Sequence, residues 1–172
     1  IIGAGIAGLN AARLIPAHKK VLVICKKEPW ECNTFYAQGG IATAVDSNDV
    51  AAHIKDTITA GANHNKKEAV ELLSSTSKEA IDDLINSGFD FDLNEKGQLA
   101  FTKEAAHSRS RILHADGDAT GRILHMFLLQ SLPHEIVTEA VVNDLLIKDD
   151  VCYGVRYFTC ETKEKVAYAN NV

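Results

Sequence analysis

The first eight residues, Ile1-Ile2-Gly3-Ala4-Gly5-Ile6-Ala7-Gly8, decide the fold that this sequence predicts. Two β-branched residues run into a G-x-G-x-x-G turn, the pattern of a strand that enters a helix through a phosphate-binding loop. In that pattern Gly3 permits the tight turn, Gly5 lets a phosphate approach the backbone, and Gly8 lets the helix pack against the strand. We therefore expect a helix over about residues 7–15, with its N-terminus directed at a pyrophosphate. The core candidates of this helix are Leu9, Ala12 and Leu14.

A second strand is predicted after this helix. The run Lys20-Val21-Leu22-Val23-Ile24-Cys25 is short and β-branched, which is typical of a buried parallel strand. A glycine fingerprint flanked by strand, helix and strand within about 30 residues indicates a dinucleotide site. An ordinary strand–turn–helix fits the same spacing and stays open as the alternative.

The end of this second strand departs from the NAD pattern. An acidic residue about 20 residues after the fingerprint usually binds the ribose. This sequence has Cys25-Lys26-Lys27 at that place, and Glu28 comes slightly late. NAD is therefore not favoured, and Lys26 is a candidate contact for a ribose or a phosphate.

Composition limits the class of protein. The chain has 172 residues, of which 46% are hydrophobic, enough for one domain with a substantial core. Its net charge of −5, without a basic block, argues against nucleic acid as the partner. Cys25, Cys32, Cys152 and Cys160 have no C-x-x-C spacing, so we interpret them as reduced cytosolic thiols. No stretch has the length of a transmembrane helix and no signal peptide is visible, so we predict a cytoplasmic protein without a membrane partner.

Both ends of the sequence look cut. Only Ile1 and Ile2 precede the first glycine, where a strand of about five or six residues is usual. Residues 166–172 resemble a strand that enters the core. We expect the chain to be a portion of a larger protein.

The segment Thr34–Ala42 is nearly uncharged and contains the glycine pair Gly39-Gly40. Small residues and paired glycines suit a backbone that lies against a flat ligand. A buried turn is the alternative interpretation.

The middle of the chain is predicted to be helical, as an insertion over about residues 47–88. One helix covers residues 47–60 and a second covers residues 67–74. Thr76 begins a stretch with capping-box spacing, which predicts a third helix that ends before Gly88. We interpret the charges of these helices as a solvated face. The inward-facing residues expected are Val50, Ile54, Ile58, Val70, Leu73, Ile81, Leu84 and Ile85.

Strands dominate the rest of the prediction. Residues 89–93 and 99–101 form a predicted hairpin around a turn at 94–97. A helix then opens at Thr120, with Ile123, Leu124, Phe127 and Leu128 as its apolar face. The remaining predicted strands are 135–139, 141–148, 151–160 and 165–169, with turns at 149–150 and 161–164.

A dense polar cluster follows the predicted hairpin. Its spacing does not fit a zinc motif, so we predict no metal site. An exposed ionic loop is the alternative to a functional cluster. Its members are Lys103, Glu104, His107, Arg109, Arg111, His114, Asp116 and Asp118.

Three motifs occur together and in order: the turn over residues 3–8, the block Asn33–Ala42, and the stretch Glu104–Gly121. In this combination the chain resembles the flavoproteins of the succinate dehydrogenase/fumarate reductase superfamily, and within it the L-aspartate oxidase family. The resemblance spans nearly the whole chain. It implies an α/β fold: a glutathione-reductase-like, Rossmann-type FAD-binding domain over residues 1–172, with a β-meander, truncated at both ends and lacking a capping domain.

The resemblance also implies the site residues. Ala4, Gly5, Ile6 and Ala7 would hold the pyrophosphate of FAD, and Lys26 would lie on the adenosine side. Gly3 and Gly8 complete the cofactor-binding turn. Asn33, Thr34, Phe35, Tyr36, Ala37, Gln38, Gly39 and Gly40 would surround the isoalloxazine, and Val142 would contact adenine through its backbone. Glu104 would orient the amino-acid substrate. In membrane-bound members the position of Asn33 is a histidine that bonds the flavin covalently, so noncovalent FAD is implied here.

The implied reaction is the oxidation of L-aspartate to iminoaspartate, with hydride transfer to the flavin and reoxidation by oxygen or fumarate. This reaction belongs to NAD biosynthesis, and quinolinate synthase is the implied partner. The essential arginines and histidines of the family come mainly from regions absent here, so this portion alone is expected to be inactive. His107, Arg109 and Arg111 are candidates near the site without a catalytic assignment.

Two alternatives remain open. A soluble fumarate reductase or succinate dehydrogenase-type flavoprotein would share the fold, but Glu104 and the Phe35-Tyr36 pair count against it. A noncatalytic dinucleotide-binding module would have no use for the cradle formed by residues 34–42.

Overall fold

The computed structural model describes residues 1–161 and 163–172. Its helices are α1 (Ile6–Leu14), α2 (Ser47–Ala60), α3 (Lys67–Asn86) and α4 (Thr120–Gln130). Its strands are β1 (Leu22–Ile24), β2 (Ile41–Ala42), β3 (Phe101–Thr102), β4 (Ile112–Leu113), β5 (Glu135–Val137), β6 (Ala140–Lys148), β7 (Val151–Thr159) and β8 (Glu164–Tyr168). The chain divides into two compact units: residues 1–36 with 124–172, and residues 37–123.

The first unit contains the predicted parallel strands. Ile2 forms a parallel bridge with Ile24 of β1, and the N–H of Gly3 donates to the Ile24 carbonyl at 2.8 Å. On the other side of β1, Ile24 pairs in parallel with Val137 of β5. The helix α1 connects the first of these strands to the second. Its predicted core residues Leu9 and Ala12 are buried, but the prediction for Leu14 is wrong, because this side chain is 62% exposed at the end of the helix.

An antiparallel sheet of β6, β7 and β8 completes this unit, with the strands adjacent in chain order. Asp149 and Asp150 join β6 to β7 with φ angles of 51° and 61°, as a two-residue hairpin turn of this hand requires. The predicted turn at 149–150 is therefore confirmed. The turn predicted at 161–164 includes Thr162, which lies outside the described residues. Ile24, Ala140, Val155 and Tyr157 form the buried cluster of this unit.

The second unit combines α2, α3 and a small antiparallel sheet in the order β2, β4, β3. The prediction of two helices within residues 67–87 is wrong, because α3 continues through Thr76. The hydroxyl of Thr76 donates to the Leu72 carbonyl at 2.8 Å, one turn earlier, and so the side chain does not cap a new helix. Leu73 is 59% exposed, contrary to its predicted inward position, whereas Val70 and Ile81 are buried.

The predicted hairpin over residues 89–101 is confirmed only around its turn. Leu93 and Leu99 form an antiparallel bridge, and the N–H of Asn94 donates to the Gln98 carbonyl at 2.7 Å. Phe101 then pairs with Leu113 of β4 and so belongs to the small sheet. No helix in the described part of the chain is both long and apolar enough to cross a membrane.

Candidate functional site

The glycine turn has the geometry that its fingerprint predicts. Gly3 has a φ of 101°, a backbone conformation that residues other than glycine rarely adopt. A Cβ on Gly8 would collide with the carbonyl oxygen of Gly3, so the close approach of α1 to the turn requires glycine there. Gly3 and Gly8 therefore permit a turn that brings a helix N-terminus close to the preceding strand.

The N-terminus of α1 is available to a ligand. Its N-cap residue, Gly5, offers no side-chain hydrogen bond. The N–H of Ile6 donates to the Thr34 hydroxyl at 3.1 Å, which links the glycine turn to the block that begins at Asn33. Thus Ile6 and Thr34, both predicted to contact the cofactor, meet in the first unit. A helix N-terminus with free N–H groups favours a phosphate.

His125 supports the glycine turn from behind. It is fully buried in α4, and its Nε2 lies 2.9 Å from the Ala4 carbonyl oxygen. Because a carbonyl only accepts, Nε2 carries the proton and donates. The ring also packs edge-to-face on Phe35 at 5.9 Å, and Phe35 packs in the same way on Tyr36 at 5.4 Å. One buried histidine therefore contacts both predicted cofactor segments of this unit.

The remaining predicted residues of the first unit lie at the surface. Lys26 is exposed and follows Cys25, where the N–H donates to the Val137 carbonyl at the end of β1. Asn33 is exposed, and Tyr36 is 66% exposed despite its aromatic ring. Val142, the predicted adenine contact, pairs with Tyr157 of β7 and packs against the buried cluster of the unit.

A cleft of about 500 Å³ lies in the second unit. It brings together Gln38, Gly39 and Glu104, three residues that the sequence assigned to the cofactor or the substrate. The full lining is Gln38, Gly39, Asp92, Ala100, Thr102, Glu104, His114, Gly117 and Asp118. Of the other candidates near the site, His107, Arg109 and Arg111 are not in this lining.

Glu104 presents an exposed carboxylate to this cleft. Its backbone carbonyl accepts the N–H of His107 at 3.3 Å, and no ion pair of its carboxylate occurs among the described residues. Neither Arg109 nor Arg111 pairs with this carboxylate. Both arginines contact Asp49 instead, at 3.7 Å and 2.7 Å. The carboxylate of Glu104 is therefore available to a cation in the cleft.

Both ring nitrogens of His114 make contacts in the wall of the cleft. Its Nδ1 lies 3.2 Å from the Gly117 carbonyl and its Nε2 lies 2.9 Å from the Thr102 hydroxyl. The carbonyl only accepts, so Nδ1 carries a proton and donates to it. Asp92 fixes the same wall, because its carboxylate accepts the N–H groups of Asp116 and Gly117 at 2.9 and 3.0 Å.

The two adjacent glycines, Gly39 and Gly40, lack a side chain for different reasons. Gly40 has a φ of 76°, and a Cβ there would lie 2.6 Å from Ile112 Cγ2 and 2.7 Å from the Leu113 carbonyl oxygen. Its lack of a side chain is therefore required by β4, as in the buried-turn interpretation. A Cβ on Gly39 would meet no atom within 4 Å, and this residue lines the cleft. Open space beside Gly39 suits the flat ligand that the sequence predicted.

The sequence analysis missed a polar cluster centred on the buried pair Asp49–Arg111, which we call the Arg111 cluster: Asp49, Asp56, His107, Ser108 and Arg111. Arg111 is 0% exposed, and its Nε and Nη2 donate to the two carboxylate oxygens of Asp49 at 3.0 and 2.7 Å. Its Nη1 donates to Asp56 at 2.6 Å and to His107 Nδ1 at 3.1 Å. The prediction that the charges of α2 form a solvated face is therefore wrong for Asp49, which is fully buried.

Electrostatics within the Arg111 cluster keep both carboxylates ionised. The hydrogen bond from Arg111 is the main cause that holds the Asp49 pKa below its usual value. Burial alone would raise the Asp56 pKa, but hydrogen bonds from Arg111 and Ser108 outweigh it and hold that pKa well below its usual value. Nearby, burial is the main cause that lowers the pKa of His53, and the charge of Arg111 adds to it.

Weak signals for these residues were present in the sequence. Asp49 and Asp56 are seven positions apart, so they lie on one face of a helix. His125 follows Leu124 and precedes Leu128, within the apolar face predicted for its helix. Nothing in the sequence alone paired the carboxylates of α2 with an arginine distant in the chain.

A family model described as FAD binding domain matches residues 1–172, the full length of the sequence. The chain belongs to this FAD binding domain family. FAD is accordingly its cofactor.

Curated relatives of this FAD binding domain are L-aspartate oxidases. That of Clostridium acetobutylicum is 42% identical over 90% of this chain and 36% of its own length. That of Bacillus subtilis is 40% identical over 100% of this chain and 33% of its own length. The chain therefore spans about a third of the length of the curated relatives it matches.

Solved structures confirm the fold class at the level of the flavoprotein superfamily. Sdh1 of Mycobacterium smegmatis, in complex with UQ1, superimposes with a TM-score of 0.87 at 25% identity, covering 98% of this chain and 31% of the Sdh1 chain. Quinol fumarate reductase FrdA of E. coli gives a TM-score of 0.82 at 25% identity, covering 91% of this chain and 28% of FrdA. The FAD binding domain thus has the mixed α/β fold of the succinate dehydrogenase/fumarate reductase flavoproteins.

The residues of this domain fit FAD. The N-cap residue of α1, Gly5, provides no side-chain cap, and apart from the Ile6 N–H, which donates to Thr34, the first turn keeps N–H groups for a pyrophosphate. The open space beside Gly39 leaves room for a flat ring. Among the described residues, no group of three or more His, Cys, Asp and Glu side chains is arranged to hold a metal ion.

Proposed function

We propose that this chain is the FAD-binding part of an enzyme that oxidises L-aspartate to iminoaspartate, with oxygen or fumarate as the electron acceptor. When bound, FAD supplies the hydride acceptor. The chain's own residues hold the cofactor and orient the substrate. Residues 3–8, Lys26 and residues 33–40 are the proposed cofactor contacts, and Glu104 is the proposed substrate contact.

One observation carries this proposal: Glu104 presents an exposed carboxylate to the same cleft as Gln38 and Gly39. Aspartate differs from succinate by an ammonium group, so an enzyme that selects aspartate needs an anionic contact beside the reacting carbon. A charge-assisted hydrogen bond from that ammonium to Glu104 would supply it. Relatives named L-aspartate oxidase, matched over 90% and 100% of this chain, support the same substrate.

The test is an activity assay of the full-length protein. We expect hydrogen peroxide release that depends on L-aspartate in air, and fumarate consumption that depends on L-aspartate without oxygen. Succinate at the same concentration is the matched control, since it lacks only the amine. Turnover of succinate without turnover of aspartate would contradict the proposal.

A succinate dehydrogenase or fumarate reductase activity is the second candidate. The TM-scores of 0.87 and 0.82 to Sdh1 and FrdA favour it. Glu104 argues against it, because an uncompensated carboxylate beside a dicarboxylate substrate repels it. The succinate control decides between the two enzymes. A noncatalytic dinucleotide-binding module would turn over neither substrate.

The proposal extends to finer points of fold and setting. The parallel β1–β5 pair and the β6–β7–β8 sheet support a glutathione-reductase-like, Rossmann-type domain with a β-meander, and α2 and α3 would belong to a helical insertion. Asn33 supports noncovalent FAD.

An imine product that hydrolyses in water suits direct use by a second enzyme, for which we propose quinolinate synthase. We also propose a cytoplasmic location for this protein, although relatives in Nicotiana tabacum are described as chloroplastic.

A further inference from the structure

The loop over residues 103–111 carries Glu104 and connects β3 to β4. Strand pairing fixes its base, where Thr102 pairs with Ile112 and the N–H of Arg111 donates to the Thr102 carbonyl at 3.0 Å. Ala106, within the loop, has a φ of 67°, an uncommon conformation for alanine. Pairing at the base does not determine the path of such a loop. Contacts made farther along the loop therefore decide where Glu104 lies.

Asp56 supplies those contacts from α2. Its Oδ2 accepts the Ser108 N–H at 2.8 Å, the Ser108 hydroxyl at 2.7 Å and Arg111 Nη1 at 2.6 Å. All three donors belong to the loop, so one carboxylate oxygen on a regular helix joins the middle of the loop to its end. Charge-assisted hydrogen bonds of this length are among the strongest that a protein makes.

Arg111 makes this arrangement specific. Its buried guanidinium is bidentate to Asp49, which fixes the plane of the group and the direction of Nη1. The same Nη1 donates to His107 Nδ1, which must be unprotonated to accept. His53 faces this group from α2, with its ring centroid 6.0 Å from that of His107. A buried charge without its partner is strongly unfavourable, so other loop conformations are disfavoured.

We propose that Asp56, Ser108 and Arg111 are positioning residues for Glu104: they hold its loop in the conformation that directs the carboxylate at the substrate amine. None of the three lines the cleft into which Glu104 projects. The inference rests on the proposed function, because it assigns the orientation of the residue that would recognise the amine.

The test is a double-mutant cycle in the full-length protein with FAD bound, using Asp56→Asn and Glu104→Gln. Asparagine keeps the size of Asp56 and one acceptor oxygen but removes the negative charge that pairs with Arg111, so the three hydrogen bonds are weakened. We expect Asp56→Asn to lower kcat/KM for aspartate by roughly tenfold, less than the roughly 100-fold that a 1 Å misplacement near the chemistry can cost. Fumarate reduction, measured with a donor other than aspartate, should change less than about twofold, because fumarate has no amine for Glu104 to contact.

The decisive comparison is made in the Glu104→Gln background. If Asp56 acts through Glu104, adding Asp56→Asn there should lower kcat/KM for aspartate by less than about twofold, because coupled residues are not additive. Additive losses would overturn the inference, and so would equal losses for aspartate and fumarate, which a merely structural role predicts. If Glu104→Gln alone leaves aspartate turnover unchanged, the role of Glu104 in the proposed function fails instead, and the positioning inference falls with it.

A milder variant guards against loss of folding. Ser108→Ala removes one hydroxyl donor from an exposed residue and leaves the Ser108 N–H in place. Its loss of kcat/KM should be smaller than that of Asp56→Asn but again larger for aspartate than for fumarate. Equal losses for the two substrates would count against the inference. Asp82→Asn is the matched control, since Asp82 loses the same charge in an exposed pair with Lys78 on α3. Its kinetics and FAD content should equal those of the unmodified protein.

Discussion

Gly39 and Gly40 are adjacent but have different roles: Gly40 is required by the fold, and Gly39 lines the cleft. An alanine at Gly40 would face both the strain of a φ of 76° and contact with β4 at 2.6–2.7 Å. Strain of this kind costs on the order of 1–3 kcal/mol. Gly40→Ala should therefore lower the thermal midpoint of the apoprotein. Gly39→Ala should leave that midpoint unchanged and weaken FAD binding, because its Cβ would point into open space that the ligand is proposed to use.

Calorimetry of the apoprotein and a fluorescence titration with FAD measure these two effects separately. Gly97→Ala is a suitable control, since Gly97 also has a positive φ of 72° but lies in a surface turn, where a Cβ would meet no atom within 4 Å. A fall in apoprotein stability for Gly39→Ala, with unchanged FAD affinity, would assign Gly39 to the fold and would remove it from the proposed site.

His125 offers a second test at a single residue. Replacement by leucine would leave the Ala4 carbonyl buried without its donor, a loss of about 1–3 kcal/mol. Glutamine retains an N–H donor, so His125→Gln should recover part of that stability. Chemical denaturation checks the order: unmodified protein, then His125→Gln, then His125→Leu. The exposed His64→Leu serves as control. Equal destabilisation by glutamine and leucine would mean that packing, and not the hydrogen bond, is what His125 contributes.

At the scale of elements, the sequence predicted helices and strands well where the apolar residues follow a single helical or strand spacing. The bounds of α2 match the prediction, and its N-cap residue Asp46 accepts the N–H groups of Asn48 and Asp49 through its carboxylate. The sequence did not predict that Asp49 and His53 are the buried residues of α2. Arg111, which is distant in the chain, compensates the buried charge of Asp49, so hydrophobic periodicity could not reveal this burial.

The Arg111 cluster makes the stability of this element depend on acidity. Asp56 has a lowered pKa in the folded protein, so its contribution is fully present above the unfolded value of about 3.9 and is lost as pH falls below it. The difference in thermal midpoint between the unmodified protein and Asp56→Asn should therefore be constant from about pH 7 to 5 and shrink below about pH 4. Asp82→Asn provides the exposed control. A difference that stayed constant down to about pH 2.5, or grew, would contradict the assignment.

At the scale of the whole molecule, the motifs indicated the cofactor class because glycine turns and a flat-ligand cradle are local in sequence. The cleft was not predictable in the same way, since Gln38, Asp92, Glu104 and Asp118 become neighbours only through the order of β2, β4 and β3. The arginines illustrate the same limit. Local sequence could not decide whether Arg111 pairs with Glu104 or with α2, and the fold pairs it with α2.

Attachment of the cofactor is a prediction about the whole protein. Asn33 has an amide where covalent members of the superfamily are expected to have a histidine, and an amide nitrogen is too weak a nucleophile to form that bond to the flavin. Acid precipitation of the full-length protein should therefore release all of the yellow colour into the supernatant. A pellet that keeps flavin absorbance after repeated acid washing would show a covalent bond. The inference of noncovalent FAD from Asn33 would then be wrong.

The central claim is that Glu104 recognises the amine of aspartate, and Glu104→Gln in the full-length protein tests it most directly. A charge-assisted hydrogen bond is worth about 1.5–3 kcal/mol, so kcat/KM for aspartate should fall roughly 10- to 150-fold. Fumarate has no amine, and its reduction, with a donor other than aspartate, should suffer much less. Measured on the same preparation at matched FAD content, a selective loss for aspartate is the predicted result. Equal losses for both reactions, or no loss in either, would contradict the account.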